Sequence, residues 1–143
     1  MSSDKVIVTF IDGRQMTTNP LSMRESAGES FAASTRVPNA PGEAFGLRAW
    51  YASFRQPAIT HLLVRAEDGF EAVIPASQLE GALFQYAIDG QPLAKGGPLR
   101  LYVPDGTSAC LNVKSVAAIV FVSDAALGDD ASYGHRHMPR RVR

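Results

Sequence analysis

The sequence predicts an α+β domain, a mixed, mainly antiparallel sheet of about six to eight strands, with one longer helix at residues 43–55. This expectation rests on three features. Short apolar, β-branched runs recur beside Asp-Gly pairs at 12–13, 68–69, 89–90 and 105–106, a turn chemistry suited to hairpins. One stretch has helical spacing, with Leu47, Trp50, Tyr51 and Phe54 at i, i+3, i+4 and i+7. The run Val113–Val122 is nearly all apolar, broken only by Lys114 and Ser115, and reads as a central or sheet-closing strand.

Taken in order, Lys5–Ile11 suits a buried strand, and Arg14–Thr18 can return beside it after the Asp12-Gly13 turn. Residues 19–42 are rich in Ser, Ala, Gly, Pro and Asn, with prolines at 38 and 41, and predict a long loop or a short irregular helix. The helix that follows stops before Pro57. Thr60–Ala66 and Phe70–Ile74 form a hairpin about Asp68-Gly69, and Pro75–Leu79 can make one short helical turn. Leu83–Ile88 and Leu99–Val103 are further strands, separated by a turn at Asp89-Gly90 and a flexible Lys95-Gly96-Gly97-Pro98. Residues 1–122 make one domain, with Val6–Ile11 and Val116–Val122 supplying much of its core. Residues 123–143 read as a flexible basic tail carrying His135, His137 and several arginines.

The chain has 143 residues, 45% apolar and 20% charged, long enough for an independent core. Fourteen basic side chains balance fourteen acidic ones. That balance argues against a nucleic-acid binder, which needs surplus cations to neutralise phosphates. It also leaves little charge repulsion, so a homodimer is compatible with the sequence. A single cysteine, Cys110, allows no internal disulfide and no cysteine zinc site. No signal-peptide pattern opens the chain, and no apolar run approaches the length needed to span a bilayer, so a cytoplasmic protein without membrane contact is expected.

Four segments then occur in a particular order: Ala66-Glu-Asp-Gly-Phe-Glu-Ala-Val-Ile-Pro75, Gln85-Tyr-Ala-Ile-Asp-Gly-Gln-Pro-Leu93, Gly97-Pro-Leu-Arg-Leu-Tyr-Val-Pro104 and Val113-Lys-Ser-Val-Ala-Ala-Ile119. Together they resemble the molybdopterin-binding domain of sulfite-oxidase-type oxidoreductases, whose hairpin, turn, "GgPLRlvvP" and "vKw" motifs follow one another in this way. Each piece alone is weak. Four in order over about 60 residues are far more specific. The resemblance implies that family's fold and a pterin-binding role for Lys114 and Arg100, since a phosphorylated pterin calls for charge-assisted donors.

Departures from the family pattern bear on chemistry. The family ligates molybdenum through a soft cysteine thiolate upstream of the hairpin, but residues 1–109 here contain no cysteine. A second basic residue expected shortly before the lysine is replaced by Leu111 or Asn112, and the aromatic after it by Ser115. No molybdenum redox chemistry is therefore expected, and no catalytic or metal-ligating residue is assigned. The leading expectation is a non-catalytic binding or interaction domain with a small-molecule or protein partner and no cofactor. Two alternatives stand beside it: a genuine molybdopterin-binding protein or oxidoreductase subunit, and a small enzyme using Cys110 or His61, which requires those side chains to meet.

Overall fold

The computed structural model describes residues 5–54, 59–104, 111–124 and 132–135. Among these residues, twelve strands form two six-stranded sheets, accompanied by two α-helices. The fold is α+β and almost wholly antiparallel, as the sequence predicts, but the strands divide between two sheets where one was expected.

Val6–Thr9 (β1) and Gln15–Thr18 (β2) form the first hairpin. His61–Ala66 (β5) and Phe70–Pro75 (β6) form another around Asp68-Gly69. Val116–Val122 (β11) joins these hairpins, lying antiparallel to β5 and parallel to β1. This insertion gives β11 the central position that its apolar composition predicts. Its burial alternates after a register shift near residue 117, so one face is in the core and the other is not. Ser132–His135 (β12) pairs antiparallel with β6 and completes the order β12-β6-β5-β11-β1-β2. Part of the segment expected to be a flexible tail is therefore an edge strand, because backbone pairing to a free edge needs no hydrophobic pattern.

The second sheet combines Phe31–Ala32 (β3), Glu43–Gly46 (β4), Leu83–Ile88 (β7), Gln91–Pro92 (β8), Arg100–Val103 (β9) and Leu111–Val113 (β10). Its main order is β10-β9-β7-β4-β3, with β8 returning on β7 through the Asp89-Gly90 turn.

Two expectations about helices are corrected. The longer helix at 43–55 is absent: residues 43–46 pair with β7, and only Leu47–Ala52 (α2) is helical. The apolar stripe still packs as a core face, with Leu47 and Trp50 buried and Tyr51 and Phe54 against the core. Conversely, Pro20–Ala27 (α1) is the longer helix, within a segment expected to be mostly loop. Its ends carry regular signals. The Asn19 side chain accepts from the Ser22 N–H at 2.9 Å, Pro20 opens the first turn, and Gly28 closes the helix at φ 72°. Periodicity missed it because only Met23 is buried.

The main core lies between the sheets. Val6, Val8, Leu62, Val64, Ile119 and Phe121 face Phe45, Phe84, Leu101 and Val103 across it. Trp50 connects the layers through edge contacts with Phe84 at 5.9 Å and Phe121 at 5.9 Å. A second cluster of Ala33, Ala40, Ala44, Leu83 and Tyr102 forms where residues 31–42 fold over the outer face of the second sheet.

Candidate functional site

The family-like segments meet at one corner of the molecule. Gly96 adopts φ 81°, and the Gly97–Pro98 peptide is cis. The Gly96 carbonyl accepts a 2.9 Å hydrogen bond from Ser115 N–H, and the Leu99 carbonyl accepts one of 2.9 Å from Val116 N–H. Ser115 itself turns through φ 56°, and its carbonyl accepts from Glu67 N–H at 3.0 Å. The glycine loop, the start of β11 and the hairpin turn after β5 are thus tied together through backbone groups.

Lys114 lies on this corner and is exposed. The Gly96 backbone runs beside the Lys114 stem, where an added Cβ would make only an ordinary 3.9 Å contact with the Lys114 Cβ, so it is the positive φ that calls for glycine. Arg100 begins β9, opposite Gln85 of β7. Its Nε donates to Asn112 Oδ1 at 2.8 Å, and its guanidinium carbon lies 5.3 Å from the Tyr102 ring centroid. Tyr102 is buried and supplies a fixed aromatic wall. Leu101 pairs with Val113, so Arg100 and Lys114 each lie one residue beyond the same cross-strand pair.

Asn112 is the residue that sequence reasoning undervalued. It stands close to where the family that the motifs resemble carries a second basic residue. A cation there would repel Arg100, whereas the Asn112 carbonyl anchors it. The signal was present as a departure from the motif, but only the strand register shows that Asn112 and Arg100 share a face.

The alternative that pairs His61 with Cys110 falls outside the described residues, since Cys110 is not among them. His61 is buried in β5, with Nδ1 2.9 Å from the Thr60 hydroxyl. That hydroxyl also accepts from Asp124 N–H at 2.6 Å, which makes the His61 end of the strand a polar junction. Cys110 and His137 lie outside the described residues, and His135 falls in β12. Among the described residues, no group of three His, Cys, Asp or Glu side chains could hold a metal ion. No described helix is long and apolar enough to cross a membrane.

The donor set does not fit a molybdenum centre of the kind found in the family that the motifs resemble. That centre needs a thiolate ahead of the β5–β6 hairpin, and the chain's single cysteine follows β9 instead. The corner's chemistry is that of two cations beside a glycine loop and an aromatic wall. It can receive an anionic group through charge-assisted hydrogen bonds. No protein family, characterised protein or solved structure matches the chain.

Proposed function

We propose that this protein is a non-catalytic binding or interaction domain built on a scaffold like the molybdopterin-binding domain of sulfite-oxidase-type oxidoreductases. One observation supports the reading above others. The glycine loop and Arg100 come from one motif segment and Lys114 from another, and the two segments meet at a single corner, through Ser115 N–H to Gly96 O at 2.9 Å and Arg100 Nε to Asn112 Oδ1 at 2.8 Å. The cationic end of a binding site is thereby retained without a thiolate for metal chemistry. Binding without redox turnover accounts for both features.

A second reading, a genuine molybdopterin binder, draws on the same corner. Arg100 and Lys114 would meet the anionic end of the pterin, and the buried Tyr102 holds Arg100 in place. The two readings separate on one preparation. The protein is expressed in cells that make molybdopterin, purified, and assayed for molybdenum and pterin fluorescence. The leading reading expects a folded protein with neither at stoichiometric level. Near-stoichiometric pterin that is lost in Lys114→Ala and Arg100→Ala would replace it with the second.

A further inference from the structure

The Arg100–Lys114 corner continues a face of the second sheet that the chain itself covers. Strand register sets two rows across that outer face. One runs Ala44, Gln85, Arg100, and the next runs Gly46, Leu83, Tyr102, Asn112. Side chains alternate along a strand. The core-facing Leu101 and Val113 therefore leave Arg100, Tyr102 and Asn112 on the outer face, with Lys114 next along the chain. Residues 33–42 cover the β4–β7 half of this face, and their small core reaches β9 at Tyr102. The covering segment is a compact loop closed on itself. Ala33 N–H donates to the Gly42 carbonyl at 2.9 Å, and the Arg36, Val37 and Ala40 N–H groups donate to carbonyls inside the loop. Its attachment to the sheet is slight. The buried side chains it contributes are Ala33 and Ala40. Gln85 Nε2 donates to the Pro41 carbonyl, and Arg36 Nη1 donates to the Ala82 carbonyl at 3.4 Å. A loop burying so little apolar area opens at less cost than the sheet beneath it.

We propose that loop 33–42 is the closing wall of the Arg100–Lys114 site, and that a bound anion and a seated loop favour one another. This regulation rests on the reading of that corner as a binding site. Gln85 and Tyr102 are the positioning residues. Gln85 is 2% exposed and stands opposite Arg100 in register, so the strand pair that carries the cation also carries the anchor of the loop. Tyr102 joins the core under the loop on one side and lies 5.3 Å from the Arg100 guanidinium carbon on the other. With the loop seated, Arg100 is held by this ring and by Asn112 Oδ1 at 2.8 Å. Unseating the loop releases the ring, so an arriving anion must reorder Arg100 and binds less tightly. By linkage, an anion that fixes Arg100 stabilises the seated loop by the same factor.

The test titrates the full chain with inorganic phosphate at constant ionic strength, following NMR shifts and amide hydrogen exchange. Phosphate is expected to shift Arg100 and Lys114 and to slow exchange at the Ala33, Arg36, Val37 and Ala40 amides. Lys114→Ala should abolish both effects. Gln85→Leu, which removes the bond to Pro41 without touching the corner, should weaken phosphate binding at least about fivefold, the low end of coupling between sites. If Gln85→Leu fails to fold by circular dichroism, the exchange of the wild-type loop amides decides. Phosphate that binds the corner without slowing the loop overturns this proposal and leaves the binding site standing. So does a folded Gln85→Leu variant that binds as tightly as the wild type. An absence of any shift at Arg100 and Lys114 overturns the anion site and this proposal together.

Discussion

Single residues carry the tightest constraints in this molecule. Gly42 has φ 82°, and a Cβ there would overlap the Ala87 carbonyl oxygen across the β4–β7 pairing. Gly42→Ala is therefore expected to destabilise by more than about 1 kcal/mol, read as a lower urea midpoint with an unchanged slope. Pro41-Gly42 is locally a turn pair, but the steric restraint on Gly42 comes from a strand more than forty residues away. Asp12 is the opposite case, because its role is local. Its carboxylate accepts from the Arg14 backbone N–H at 3.0 Å and from Arg14 Nε at 2.8 Å, which holds its pKa below the ordinary aspartate range. A lowered folded-state pKa stabilises above the usual carboxyl range, and that contribution disappears as pH falls through the lowered value. An NMR titration should find Asp12 deprotonating at lower pH than an aspartate in a model peptide, with the difference shrinking in high salt. At the candidate site, Arg100 and Lys114 were legible as motif residues, while the Asn112 anchor became visible only with the β9–β10 register.

At the scale of elements, helical spacing and strand pairing competed for residues 43–54. The stripe from Leu47 to Phe54 identified a real buried face, but Glu43–Gly46 gained more by pairing with β7 than by extending the helix. The short α2 that remains carries Trp50, which is 1% exposed and touches aromatic rings from both sheets. Trp50→Ala should cost about 3–5 kcal/mol, a large share of a typical domain's stability. The expected result is a collapsed protein with weakened near-ultraviolet dichroism and a much lower melting temperature. A loss below about 1 kcal/mol would show that the two layers do not depend on this contact. α1 escaped detection for the converse reason. It has sound caps and a single buried side chain, so periodicity, the strongest sequence signal, had little to report.

At the scale of the whole molecule, the sequence by itself determined the α+β class, the hairpins at Asp12-Gly13 and Asp68-Gly69, the Asp89-Gly90 turn and the central strand Val116–Val122. These are properties of local turn chemistry and of apolar runs within one segment. Only the tertiary structure decided that the strands divide into two packed layers, that β1 runs parallel to β11, and that Ser132–His135 closes an edge. Those outcomes depend on pairings between segments separated by up to about a hundred residues, and single-segment patterns hold no record of their partners. The same division applies to function. Motif order brought Arg100 and Lys114 into view, and the backbone bonds at Gly96 and Ser115 brought their segments to one corner. The apolar run of β11 read as a central or sheet-closing strand. Packing covered one face and left Val120 on the other, because the core lies on only one side of its sheet.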